Sequence, residues 1–200
     1  MPARNHDLHG NVPDTSPVAL VLIDVINDFE FDGGDKLLRH ALRAAPKIAA
    51  LKAKARQRGI PVIYSNDNFG RWRSDFQQVI EHCLTDGVRG ERIVQILKPE
   101  PEDYFVLKPK HSAFYSTTMD LLLRYLKAKR LILTGFTGDM CVLFTAADAY
   151  LRDFEILVPS DCTASQSIAE NRKALGYIAR VFKADLRDST RLDLVRLRRK

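Results

Sequence analysis

Three residues in this chain are of types that do covalent chemistry, and each follows a run of apolar residues. Ala19-Leu20-Val21-Leu22-Ile23 ends in Asp24, Tyr104-Phe105-Val106-Leu107 ends in Lys108, and Leu131-Ile132-Leu133 leads through Gly135 to Cys141. A thiol at a strand-to-helix turn sits at the positive end of a helix, where its thiolate is stabilised and its nucleophilicity rises. A neighbouring carboxylate can take its proton, while an ammonium favours the thiolate. In an open parallel sheet the carboxyl ends of the strands share one edge, so these three groups can meet there. Taken singly, each has a plainer reading: an aspartate capping a loop, a surface lysine, a cysteine buried as a small hydrophobe.

The elements that must position them are legible as periodicity. Apolar runs predict strands at about 17–24, 60–66, 103–108, 130–135 and 154–158, with a weaker sixth at about 182–187. Helical spacing fills 35–58, 74–84, 117–128, 139–152 and 167–181. Gly59 follows the first helix as a C-cap should, and Ser167 with Glu170 opens the last. Strands alternating with helices, several of them fully apolar, predict a three-layer α/β sandwich around a mostly parallel sheet of about six strands. The longest irregular stretch, about 85–102, has room for a short helix at 92–97 before Pro99 and Pro101. Such segments serve as lids or oligomer contacts. The chain divides into an N-terminal arm (1–16), one domain (17–188) and a basic C-terminal segment (189–200).

Two hundred residues, 46% of them hydrophobic and 28% charged, suit one domain with a sizeable core. The arm lacks the apolar stretch of a signal peptide, and no run reaches membrane-spanning length. Cys83, Cys141 and Cys162 lack the spacing of a disulfide framework or a zinc site, which fits a reducing cytoplasm. The net charge of +6 is spread over several helices and balanced locally by acids, so no nucleic-acid or membrane partner is predicted. The arginines from Arg187 onward read as a solvated terminal segment rather than a polyanion-binding tail.

Three blocks together resemble the isochorismatase-like cysteine hydrolases: Leu22-Ile23-Asp24-Val25-Ile26-Asn27-Asp28-Phe29, Lys108-Pro109-Lys110-His111-Ser112-Ala113-Phe114, and Gly135-Phe136-Thr137-Gly138-Asp139-Met140-Cys141-Val142. The similarity continues through Asp161-Cys162-Thr163-Ala164 and covers roughly 17–165. The resemblance implies a catalytic triad of Asp24, Lys108 and Cys141, and its spacing to Ser112-Ala113-Phe114 selects Lys108 over Lys110. It also implies a cis peptide between Phe136 and Thr137, and an oxyanion hole for which the backbone N–H groups of Thr137 and Cys141 are the candidates. Isochorismatases proper act on a vinyl ether and typically lack the nucleophilic cysteine, so Cys141 directs the expectation to the amidohydrolase branch. Members are commonly dimers or tetramers, which makes a homo-oligomer the expectation here. The sequence departs from many relatives at Gly138, where they carry threonine; the change either loosens the turn or enlarges the pocket.

Nicotinamidases of this family bind a metal through an aspartate and histidines after the second strand. Here that segment contains Asp67 with no histidine between 41 and 81. A lone carboxylate is a poor transition-metal site, so neither metal nor cofactor is expected. His111 has no companion and reads as a rim or surface residue. The expected substrate pocket comprises Phe29, Asn66, Asn68, Trp72, Phe114, Tyr115 and Phe136. Arg71 or Arg73 either pairs with a substrate carboxylate or forms salt bridges at the surface or between subunits. The expected activity is cofactor-free hydrolysis of a small amide or ureido compound. The competing readings are a metal-assisted nicotinamidase-like amidase and a non-catalytic interaction module that keeps the fold.

Overall fold

Every residue of β1 (Val18–Ile23) is buried, and alternate side chains serve opposite cores. Val18, Leu20 and Leu22 join one apolar cluster while Ala19, Val21 and Ile23 join the other. A strand covered on both faces belongs in the middle of a sheet, and β1 lies there. The computed structural model describes residues 15–68 and 75–199. Most of the expected N-terminal arm, and the calls on Arg71, Trp72 and Arg73, lie outside the described residues.

The other strands are β2 (Val62–Asp67), β3 (Tyr104–Lys108), β4 (Arg130–Phe136), β5 (Glu155–Leu157) and β6 (Thr163–Ala164). Among the described residues they form, with β1, a six-stranded sheet in the order β3-β2-β1-β4-β5, with β6 pairing the end of β4, and every pairing is parallel. One face is covered by α1 (Gly34–Gln57), α2 (Phe76–Thr85) and α3 (Glu91–Leu97), the other by α4 (Met119–Leu126), α5 (Leu143–Tyr150) and α6 (Ile168–Phe182). This is the three-layer α/β sandwich expected from the sequence. In α1, Leu37, Ala41, Ala44, Ile48, Leu51 and Ala55 recur at helical spacing and are all buried. Helix α6 begins where the Ser167 side chain accepts from the Glu170 N–H at 3.1 Å.

Two expectations need correction. The sixth strand is residues 163–164, not 182–187: α6 runs on to Phe182 and closes with Lys183 in the left-handed conformation. Beyond it only Asp185 makes a parallel rung, with Leu157. Nor is the C-terminal segment simply solvated. A short helix, α7 (Leu194–Arg198), buries Leu194 in the α1-side core, with Leu192 and Leu197 packed against that core. The Leu197 carbonyl accepts from Arg130 at 3.1 Å.

From β1 the chain steps outward to β2 and β3, then returns to the other side of β1 for β4 and β5. The reversal point therefore lies between β1 and β4. At such a point the loops leaving the strands diverge and open a crevice.

Candidate active site

The register brings the three strand ends level. Ile23 lies opposite Ser65 on one side and Gly135 on the other, while Asp67 lies opposite Lys108. Asp24 therefore emerges centrally, held by its own N–H to the Ser65 carbonyl at 2.9 Å. Its φ of 50° is a left-handed conformation that aspartate tolerates better than most residues. The long stem of Lys108 reaches from β3 across β2 and ends 2.8 Å from Asp24 Oδ2. The Asp67 N–H donates to Asp24 Oδ1 at 2.8 Å, so both carboxylate oxygens are engaged.

Cys141 arrives from the opposite side, on the turn after β4. Gly135, at φ 113°, lets β4 end against β1: a Cβ there would lie 2.0 Å from the Ile23 carbonyl oxygen. The Phe136–Thr137 peptide is cis. Residues 138–142 then form one π-helical turn, closed by the Val142 N–H to the Thr137 carbonyl at 3.0 Å. Such wide turns often mark functional positions. This one sets Cys141 Sγ 3.7 Å from Lys108 Nζ. Thr145 fixes the turn from α5, donating to the Cys141 carbonyl at 2.7 Å and accepting from the Ala113 N–H at 3.1 Å.

The electrostatics describe a resting thiol. Burial raises the Asp24 carboxyl above the usual carboxylate range, against the opposing charge of Lys108 and its hydrogen bonds, including one from the Cys141 thiol. Burial and then the Asp24 charge push the Cys141 thiol well up, and Lys108 with the Thr137 N–H reverses only part of that. Burial pulls Lys108 down, but Asp24, Cys141 and Asp67 around it raise it overall. The thiolate expected from a helix-start position is thus outweighed by burial and by a carboxylate. Lys108 is fully buried and held charged; Lys110 is exposed.

The expected pocket residues separate into three groups. Phe29, Phe114 and Phe136 are core: Phe29 and Phe136 pack on each other at 6.2 Å, and Phe114 packs against Phe154 at 6.0 Å. Asn66 is also buried, bracing the loop after β1 through Nδ2 to the Ile26 carbonyl at 2.7 Å. Asn68 is buried and Tyr115 exposed. Trp72 lies outside the described residues. Two residues read from the sequence as a lone carboxylate and a rim histidine stand beside the trio. Asp67 Oδ2 lies 3.8 Å from Lys108 Nζ. His111 is exposed on the rim, as expected, yet its Nδ1 is 3.8 Å from Cys141 Sγ and its ring lies 5.7 Å from that of Phe144. Its place two residues beyond Pro109, off the strand, gave no periodic signal. Among the described residues no three His, Cys, Asp or Glu side chains gather as a metal site.

Residues 18–189 match the model of the isochorismatase domain. The chain is 42% identical over 168 residues to the uncharacterised isochorismatase family protein YaaI of Bacillus subtilis, covering 84% of this chain and 92% of that one. It is 27% identical to the ureidoacrylate amidohydrolase RutB of Methylorubrum extorquens, covering 75% of this chain and 71% of that one. Among solved structures, the N-carbamoylsarcosine amidase of Thermoplasma acidophilum superposes with a TM-score of 0.68 at 26% identity, covering 88% of this chain and 98% of that one. With a family model spanning most of its length and a relative this similar over most of both chains, the chain belongs to the isochorismatase family of hydrolases.

Proposed function

We propose that the protein is a cysteine hydrolase that cleaves a C–N bond of a small amide or ureido compound through a thioester at Cys141. The observation that carries this reading is the trio in which the buried Lys108 Nζ lies 2.8 Å from the buried Asp24 carboxylate and 3.7 Å from the partly exposed Cys141 sulfur. A raised carboxyl is a better-matched base near neutral pH than an ordinary aspartate. As substrate enters, Asp24 takes the Cys141 proton and Lys108 balances the new thiolate. Sulfur adds to the carbonyl carbon, and the N–H groups of Thr137 and Cys141 hold the resulting oxyanion. The C–N bond breaks as Asp24 returns the proton to the departing nitrogen, leaving a thioester. Water, deprotonated by Asp24, adds to the thioester and releases the acid, and the thiol is restored. The amidohydrolase and amidase relatives support the choice of a C–N bond.

Ammonia release measured across a panel of small amides and ureido acids tests the reading. Turnover is expected for at least one compound and absent in Cys141→Ala; turnover retained by that variant would overturn the mechanism. We propose that no metal takes part, because a divalent ion bound at Asp67 would sit beside the buried Lys108 ammonium. Chelator treatment is accordingly expected to leave turnover unchanged, and loss of activity restored by added metal would favour the nicotinamidase-like alternative. A homo-oligomer in a reducing cytoplasm completes the reading, supported by three free cysteines and by the exposed Met140, Phe144 and Leu151 on and beside α5. Sedimentation at micromolar concentration tests the assembly. No described helix is long and apolar enough to cross a membrane.

A further inference from the structure

Gly138, the first residue of the π-helical turn that carries Cys141, does not need glycine for its backbone, since its φ lies outside the left-handed region. It needs glycine for room. A Cβ at this position would lie 2.0 Å from the side-chain oxygen of Asn171 on α6, and its next neighbours would be Asn171 Cγ at 3.2 Å and Ser165 Oγ at 3.4 Å. The space beside the turn is thus filled from a distant helix.

That amide is held in place. Asn171 Nδ2 donates to Thr163 Oγ1 at 3.2 Å, and Asn171 Oδ1 accepts from Ser165 Oγ at 3.2 Å. Ser165 Oγ in turn accepts the N–H of Asp139, the second residue of the turn, at 3.2 Å. Thr163 and Ser165 are buried, and Thr163 lies opposite Gly135 in the β6–β4 pairing. The strand β6, which pairs the end of β4, and the N–H of the second residue of the turn are therefore tied to one side chain. Through Ser165, that side chain orients a hydroxyl whose lone pair faces the Asp139 N–H.

We propose that Asn171 is a positioning residue for Cys141: its amide occupies the space left by Gly138 and, through Ser165, fixes the turn that aims the sulfur. The proposal rests on the reading of Cys141 as nucleophile. It also resolves the two alternatives left open at Gly138, because the missing side chain neither loosens the turn nor enlarges the pocket when Asn171 stands in its place.

The test exploits a shared contact. Asn171→Ala removes the amide, and Gly138→Ala displaces it, since the far end of a side chain yields more readily than backbone. Each is expected to lower kcat, with KM little changed, by roughly ten- to a hundredfold, the scale expected when a reacting group is misplaced by a fraction of an ångström to an ångström. The double variant is expected to lose no more than the worse single, because both changes delete the same contact. Ser165→Ala, which removes the acceptor of the Asp139 N–H, is expected to give the same kcat loss. Thermal unfolding identifies any variant whose loss is only unfolding. A full kcat in Asn171→Ala, or losses that multiply in a folded double variant, overturns the proposal. Iodoacetamide alkylation of Cys141, followed by mass spectrometry, separates the two readings. If Cys141 is not the nucleophile, Cys141→Ala stays active while Asn171→Ala still changes the alkylation rate. If Asn171 does not position the turn, Cys141→Ala is inactive while Asn171→Ala alkylates as the parent does.

Discussion

At the scale of single residues, the trio works by mutual restraint. Asp24 raises the Cys141 thiol and Lys108 lowers it, and both act inside a site where burial disfavours any lone charge. The sign of each substitution follows. Replacing Asp24 with asparagine removes the negative charge that holds the proton on sulfur while leaving the Lys108 ammonium in place. Iodoacetamide is therefore expected to alkylate Cys141 faster at neutral pH in Asp24→Asn than in the parent, even as amide turnover falls by about a hundredfold or more for lack of a base. A rate of alkylation that fell together with turnover would mean that Asp24 supports the thiolate instead of opposing it. In the parent, alkylation is expected to accelerate as pH rises into the alkaline range, because the thiol is pushed up. Cys83 and Cys162, with no exposed surface, serve as internal controls that stay unmodified in the folded protein. Removing Lys108 has a different cost. Its ammonium is fully buried against Asp24, so Lys108→Met strands a carboxyl, and unfolding by urea is expected to register a loss of about 3 kcal/mol.

At the scale of elements, the site depends on strands ending level and close. Gly135 is where that closeness is concentrated, and Gly135→Ala is expected to destabilise by at least about 3 kcal/mol or to abolish soluble expression, since its Cβ meets the backbone of β1 and its φ suits only glycine. A urea midpoint near that of the parent would show that β1 and β4 can separate without cost. The same elements explain what the sequence made legible. Asp24, Lys108 and Cys141 were readable as candidates because each ends or follows an apolar run, which in β1 and β4 is buried and in β3, at the sheet edge, is half-covered with Phe105 exposed. Residues 163–164 were not readable as a strand, because two residues carry no period. The 182–187 stretch misled because α6 continues through Phe182 while Ala184 and Leu186 pack on the second core, leaving Asp185 alone to make a β-rung. The burial of the aromatic residues was not legible for another reason. Sequence gives Phe29, Phe114 and Phe136 their hydrophobicity but not the direction in which the loops after β1 and β3 and the end of β4 turn them, which is inward. Asn171 was invisible on its own, a polar residue within a polar helix face, although the glycine at 138 was a signal that something else fills that space.

At the scale of the whole molecule, two cores share one sheet, and the chain closes the first of them with its C-terminal helix. The arginines of that helix gave it the look of a solvated end, yet Leu192, Leu194 and Leu197 face the α1-side core between them. Amphipathic side chains make this possible: Arg198 lays its guanidinium beside Gly59, where an added Cβ would lie 3.0 Å from its terminal nitrogen, while leucine fills the interior. If this docking contributes to the fold as a whole, trimming its buried anchor must lower global stability even though Leu194 is remote in sequence from Asp24, Lys108 and Cys141. Leu194→Ala is expected to cost about 2–3 kcal/mol in urea unfolding, the range for leucine truncation in a core that can partly collapse. Because α7 packs on the face of the sheet formed with α1, away from the turn that carries Cys141, kcat per folded molecule is expected to stay at the parental value. A loss of activity without a loss of stability would instead tie the C-terminal helix to the site, and an unchanged urea midpoint would mean that the helix rests on the core without holding it.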